Sequence, residues 1–453
     1  MKRLLCLLAV VCSAWAELPT AIAIHNARII PVSGPAIDRG TVVLRNGLIE
    51  SVGANVNPPA DAWIIEAEGL TVYPGLIDAL CSTGIPESAS SSGAGGRGAT
   101  QAATPTTTPA APATTPARGP EDRPNTTSWL RAADLVKATD SRIETVRSGG
   151  FTTTVTFPMT GIFAGQGAVI DLSGDRPGKM IVAEPVGQYI TLSSSGFGGG
   201  FPGSLMGTIA YIRQVYLDAD RYTKARDLYA SHTKGLPRPE YDRALEGVLA
   251  SPRILLPASR RVDVDRMLRF AAELKQPAIL YGVPEGYHSA DLLKKAGTPV
   301  LVNLKWPEKP ADSDPDDFEV LQSLEIHAKA PSTPAVLANS GVKFAFYSGG
   351  ITKRSDLLKA IKRATDAGLS KDDALKAMTL TPAEIYGVAD RLGSIEPGKI
   401  ANLVVTKGDL FDEKTKVQFV FVDGLKYEPV PEPAGPGNRG SGDRPTASEG
   451  DPQ

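Results

Sequence analysis

The chain has 453 residues, with 48 basic and 50 acidic side chains and a formal net charge of −2. That balance excludes the basic surplus a nucleic-acid binder needs; 42% apolar and 22% charged residues fit an ordinary soluble globular protein with a large core. Four histidines and three cysteines leave little material for a metal site and argue against a disulfide framework.

At the start, Lys2 and Arg3 precede the apolar run Leu4 to Val11, and Ala14-Trp15-Ala16 follows. A charged n-region, an h-region and an A-x-A site predict a signal peptide over residues 1–16. The run is shorter than the ~20 residues of a membrane span, so no span is expected. The protein is read as exported, periplasmic or extracellular. Val11 before Cys12, in place of a small residue, disfavours lipid attachment. Cleavage leaves Cys81 as the one remaining thiol, and free Cys is most often buried.

From Ala21 to Val52 short runs rich in Ile, Val and Leu predict strands, with Asn46-Gly47 as a two-residue hairpin turn. Residues 88–120 are rich in Ser, Gly, Thr, Pro and Ala, and predict a disordered insertion. Trp129 to Arg147 has helical spacing and ends at Gly149-Gly150. Strand and helix patterns then alternate. Phe151 to Phe157, Ile254 to Leu256, Ala278 to Tyr281, Val300 to Leu304 and Phe344 to Tyr347 read as strands. Ser204 to Ser231, Val262 to Leu274, Ser289 to Lys295 and Ser355 to Asp366 read as helices. This rhythm predicts βα units on a parallel sheet. Lys371 to Met378 and Pro382 to Tyr386 add helices. Asn402 to Thr406 and Val417 to Val422 return to strand, with Asp423-Gly424 as a turn.

The expected fold class is α/β, a TIM-like barrel over 73–389 inserted into a small β-sandwich built from 17–72 and 390–428. The tail 429–453, rich in Pro, Gly and charge, reads as disordered.

Several segments together resemble the amidohydrolase superfamily, in particular exported imidazolonepropionase-like and hydantoinase-like members. They are Gly40 to Gly53, Val72-Tyr-Pro-Gly-Leu-Ile-Asp78, Gly150-Phe-Thr-Thr-Thr154, Gly165-Gln-Gly-Ala-Val169, Leu380-Thr-Pro-Ala383 and Gly393-Ser-Ile-Glu-Pro-Gly-Lys399. The resemblance covers most of 20–427 outside the insertion. It implies a (β/α)8 barrel that hydrolyses amide or cyclic amide C–N bonds with a metal-bound hydroxide. Its ligands are expected at the C-terminal ends of the barrel strands.

Those ligands are missing from the matching positions. The His-x-His that follows the first-strand Asp would fall on Leu80 and Ser82. The fifth-strand His falls on Pro257, the sixth-strand His on Gly282, and the eighth-strand Asp on Gly349. Leu, Pro and Gly offer no side-chain donor, and a neutral Ser hydroxyl is a poor zinc ligand. The fourth-strand ligand has no clear counterpart around Glu184 to Phe201. His25, His232, His288 and His327 have no ligand spacing, and no Gly-x-Ser-x-Gly elbow exists. Gly161 to Gly167 reads as a structural turn, and the basic stretch Lys353 to Lys376 as an exposed barrel helix.

The reading that follows is a pseudoenzyme: a barrel retained after loss of its metal chemistry, with no cofactor, serving as partner to an active amidohydrolase relative or as a homo-oligomer. One alternative is a working amidohydrolase that holds zinc or another divalent metal through unusual ligands. Another is a periplasmic small-molecule binder whose pocket gathers Asp78, Ser259, Tyr281, Tyr347 and Ser348.

Overall fold

The computed structural model describes residues 21–86, 119–174, 176–194, 200–232, 234–309, 314 and 318–430. The signal peptide at 1–16, the insertion up to residue 118, the tail from 431 and most of the acidic run Asp312 to Glu319 lie outside the described residues. Strands β1 (Ala21–Ile29), β2 (Ile37–Arg45), β3 (Leu48–Gly53), β4 (Ala62–Glu66) and β5 (Thr71–Pro74) open the chain. Then come β6 (Leu76–Cys81), β7 (Phe151–Thr156), β8 (Phe163–Gln166), β9 (Ala168–Asp171), β10 (Ile181–Ala183) and β11 (Gln188–Ile190). Strands β12 (Ile254–Ala258), β13 (Ala278–Gly282), β14 (Val300–Asn303) and β15 (Phe344–Tyr347) alternate with helices, and β16 (Leu403–Thr406), β17 (Val417–Val422) and β18 (Leu425–Tyr427) close the series.

Both ends of the described chain enter one eight-stranded sheet, in the order β18-β17-β16-β5-β1-β2-β3, with β4 also on β1. Strand β1 serves two neighbours on one side, pairing with β4 through residues 21–25 and with β5 through 28–29. What reads in the sequence as two runs, Ala21 to Ile24 and Arg28 to Val32, is therefore one strand with register shifts. Apolar residues of both chain ends, including Ile24, Val42, Leu403, Val405 and Phe421, share a single buried cluster.

Two hairpin turns hold these ends together. Asn46 and Gly47 have φ of 53° and 81°, and Asp423 and Gly424 have 51° and 74°, the positive pair that a tight hairpin needs. The turns pack against each other. A Cβ added at Gly47 would lie 2.6 Å from Asp423 Oδ1. Gly47→Ala is therefore expected to cost roughly 1–3 kcal/mol through overpacking and positive φ. Gly34→Ala, where an added Cβ meets nothing within 4 Å, should be near neutral. Thermal unfolding of the two variants side by side checks this.

The βα portion forms two further sheets, β10-β9-β7-β6 and β15-β14-β13-β12-β11-β8. Strand β6 is parallel to β7, and β11 to β15 are parallel throughout. The stretch Gly161 to Gly167, expected as a turn, instead supplies β8, and with β9 it bridges the two sheets. Strand β9 runs antiparallel to β7, and β8 antiparallel to β11. At the other margin the Ser348 N–H donates to Asp78 Oδ1 at 3.0 Å, joining β6 to the residue after β15. Among the described residues the strands form these separate sheets; the α/β class is clear.

Sheet alternation sorts the core. Leu255, Ile279, Leu301 and Ala345 point to one face and pack with Ile77, Val155 and Tyr189. Their neighbours Ile254, Leu280, Val300, Val302, Phe344 and Phe346 point to the other and pack against helices. The period of two puts every second residue on the same face.

The helices mostly fall where apolar spacing places them. The long helix Leu205–Ser231 starts at Ser204, whose Oγ accepts from the Gly207 N–H at 3.1 Å. Three differ. Trp129 to Arg147 splits into Ala132–Leu135 and Ser141–Ser148, because Asp140 caps the second by accepting from the Arg142 N–H at 2.9 Å. The basic stretch Lys353 to Lys376 is two helices, Arg354–Asp366 and Lys371–Ala377, with Ser370 capping the second. His327 lies on a helix, Leu321–Lys329, that was not expected. No described helix is long and apolar enough to cross a membrane.

Candidate functional site

At the C-terminal ends of β12, β13, β14 and β15 the inner-face residues are Pro257, Tyr281, Asn303 and Tyr347, in lateral register through the pairs Pro257↔Tyr281 and Asn303↔Tyr347. They line a cavity of about 250 Å³, together with Ser259, Gly282, Pro284, Lys305 and Pro307. Five residues named from the sequence thus converge here: Pro257, Ser259, Tyr281, Gly282 and Tyr347. Gly282 pairs with Ala258 and Val302 on the alternate face, so it borders the cavity with backbone atoms only.

The remaining named positions do not line this cavity. Leu80 is buried in the same apolar cluster as Tyr189 and Tyr347. The Ser82 hydroxyl accepts from Arg142 Nη1 at 3.3 Å. Gly349 abuts Asn303, whose Oδ1 sits 2.0 Å from where a Cβ on Gly349 would be. Asp78 and Ser348 are buried and joined to each other. Burial pushes the Asp78 carboxyl up to about 6, against the pull of its hydrogen bonds from Ser348 and Leu80. Its role here is structural: it ties β6 to the end of β15.

Two of the lining residues, Tyr281 and Tyr347, are aromatic. Tyr189 stacks on Tyr281 at 5.0 Å between ring centroids. The Tyr281 hydroxyl donates to the Ile190 carbonyl at 3.0 Å. Burial raises the Tyr281 and Tyr347 phenols above their usual range, so both stay neutral donors. Asn303 and Lys305 were not anticipated. Asn303 is found by counting two residues along β14 from Leu301, which is the alternation that also selects Tyr347.

The donors present do not fit a divalent cation. The cavity offers hydroxyls, one amide and the Lys305 ammonium, but no imidazole, thiolate or carboxylate, and these are the groups that hold zinc. Among the described residues no three His, Cys, Asp or Glu side chains gather as a metal site. His25 Nδ1 is 2.9 Å from Thr41 Oγ1, His232 Nδ1 is 2.9 Å from Ser231 Oγ, and His327 pairs with Glu319 at 3.1 Å. Cys81 is buried as a free thiol. Burial pushes it up to about 12, so it is neither a thiolate ligand nor a nucleophile at neutral pH.

Comparison with known proteins places this arrangement. Residues 319–426 match the model of the amidohydrolase family. A curated relative, the amidohydrolase tasK of Hapsidospora irregularis, is 22% identical over 417 residues, which is 85% of this chain. The match spans 39% of that relative's length. Among solved structures, an amidohydrolase from Thermotoga maritima MSB8 superposes with a TM-score of 0.70 and 25% identity, over 90% of this chain and 100% of that one. Molinate hydrolase shares the fold at a TM-score of 0.51 and 16% identity, over 90% and 95% of the two chains. Residues 319–426 thus match the amidohydrolase family, and the chain shares its fold with the Thermotoga maritima amidohydrolase.

Proposed function

We propose that this amidohydrolase-like chain is a catalytically degenerate member of its superfamily, close to the exported imidazolonepropionase-like and hydantoinase-like branch. In this reading its two βα sheets are the two parts of a (β/α)8 barrel, and its mixed sheet curls into the β-sandwich. The barrel is kept for folding and association, and its natural partner is a catalytically intact relative. Residues 1–16 direct export to the periplasm or beyond.

One observation carries the reading. The matching positions hold Leu80, Ser82, Pro257, Gly282 and Gly349, and the cavity that Pro257 and Gly282 line has no carboxylate or imidazole. A metal-bound hydroxide needs ligands that fix the ion and leave it an open position. A second reading, a small-molecule binder, is favoured by Lys305, Asn303 and Ser259 on the wall of a cavity that Tyr281 and Tyr347 also line.

Elemental analysis of the purified protein, beside assays against dipeptides, hydantoins and lactams, tests the proposal. The expected result is less than one-tenth equivalent of zinc, manganese, iron or cobalt and no turnover. Co-purification of an amidohydrolase relative would support the partner role. Stoichiometric zinc with turnover would replace degeneracy by a working enzyme with unusual ligands.

A further inference from the structure

The cavity at the strand ends has one charged group among its lining residues, Lys305. Among the described residues its ammonium makes no ion pair, and the Ser259 hydroxyl makes no hydrogen bond. Both residues are exposed, so solvent can reach them and a ligand can too. They come from different loops, Ser259 just past β12 and Lys305 two residues past β14, with β13 between those strands. The other polar groups are engaged. The Tyr281 hydroxyl donates to the Ile190 carbonyl, and Asn303 Oδ1 accepts from the Lys305 N–H. The wall therefore offers two free donors, one of them charged, and no carboxylate. An anion complements such a wall, because a hydrogen bond from an ammonium to an ionised acceptor is among the strong ones. A cation would meet like charge with nothing to offset it.

The rest of the wall narrows which anion. Pro257, Pro284 and Pro307 join Tyr281 and Tyr347, five rings that favour a flat apolar body. The volume of about 250 Å³ is below the ~300–1,000 Å³ of pockets that take drug-sized ligands, which limits the body to about one ring. A single cation matches a single negative charge. A phosphate dianion would leave half of its charge without a partner.

We infer that this cavity binds a small aromatic monocarboxylate, its carboxylate accepting from the Lys305 ammonium and the Ser259 hydroxyl and its ring packing on the prolines and tyrosines. The inference rests on the small-molecule reading of the cavity and gives that reading its ligand class. It involves binding alone, with no bond made or broken.

Titration of the full chain with benzoate, followed by ligand NMR, tests this, with benzamide, benzamidine and phenyl phosphate beside it. One saturable benzoate site with a Kd of roughly 1 mM or tighter is expected. Benzamide keeps the ring without the charge, benzamidine reverses the charge and phenyl phosphate doubles it. Each should bind at least about tenfold more weakly. Lys305→Gln, at an exposed position, should weaken benzoate by at least about tenfold and leave benzamide unchanged. Ser259→Trp, which fills the cavity from its exposed rim, should abolish benzoate binding. Arg261→Gln, which removes a cation outside the lining, should leave it unchanged. Unchanged benzoate binding in Lys305→Gln overturns the inference. Benzamide, benzamidine or phenyl phosphate binding as tightly as benzoate, and still blocked by Ser259→Trp, overturns the ligand class while the small-molecule reading stands. If none of the four probes shows saturable binding that Ser259→Trp blocks, the inference falls and the small-molecule reading falls with it.

Discussion

Gly349→Asp is expected to lower stability by roughly 1–3 kcal/mol through overpacking, and to leave the protein without bound zinc. This substitution places at the end of β15 the acid that the resemblance to amidohydrolases calls for. The backbone there has φ of +61°, which an Asp tolerates better than most residues but at some cost. The larger obstacle is Asn303. A Cβ on residue 349 would lie 2.0 Å from Asn303 Oδ1 and 2.9 Å from its Cγ. That oxygen accepts from the Lys305 N–H at 2.8 Å, so moving it breaks this hydrogen bond. The double variant Gly349→Asp with Asn303→Gly removes the obstruction and should recover part of the loss. Thermal unfolding of the two single variants and the double variant measures the coupling, and elemental analysis of each reports zinc. A neutral Gly349→Asp would mean that Asn303 swings aside freely and that this station is still open.

Asp171→Asn is expected to flatten the dependence of stability on pH between about 4 and 7. Asp171 is buried at the end of β9, where Thr153 Oγ1 donates to its Oδ1 at 2.9 Å and Asn402 Nδ2 at 2.8 Å. The Asn402 Oδ1 in turn accepts from the Asp423 N–H at 2.8 Å. This network ties the βα sheet to the strands returning from the C-terminal part of the chain. Burial pushes the Asp171 carboxyl up to about 7, beyond what its hydrogen bonds pull down. The folded pKa lies above the unfolded one, so the folded state binds more protons through this window. Stability from this group is therefore greatest below pH 4 and declines as pH rises towards 7, by roughly 3–4 kcal/mol in all. An Asn keeps an oxygen for both donors and carries no charge, so this decline disappears. Asp171→Ala instead removes the acceptor of the Thr153 hydroxyl, at roughly 1–3 kcal/mol, at every pH, while the Asn402 amide still donates to Thr153 Oγ1 at 3.0 Å. Urea unfolding of the three proteins at pH 4.5, 6 and 7.5 separates the two effects. An unchanged slope in Asp171→Asn would assign the pH dependence to Asp78, the other buried carboxyl raised into this range.

Most of the elements could be read from periodicity and turn chemistry. Strand β15 and the helix Leu205–Ser231 were delimited to within a residue by apolar runs and a Ser cap. The failures have local causes. A capping Asp140 cut a periodic stretch in two. Glycines around β8 looked like a turn, although Phe163 and Ala164 are buried in the sheet. The helix Leu321–Lys329 buries none of its residues, so its apolar stripe gave no clear signal. The candidate site was half legible. Pro257, Ser259, Tyr281, Gly282 and Tyr347 lie on strands whose register is set by alternation, and they do meet. Asn303 and Lys305 were missed because their strand carries no recognisable motif.

What the sequence by itself determined is the order of strand and helix and the two Gly turns, because these depend on residue type and spacing along the chain. Only the tertiary structure decided that Asn303 fills the space beside Gly349 and that Asp171 binds the two chain regions together. Each of those depends on side chains from distant segments sharing one dry volume, where desolvation and excluded volume act on neighbours that no spacing along the chain reveals.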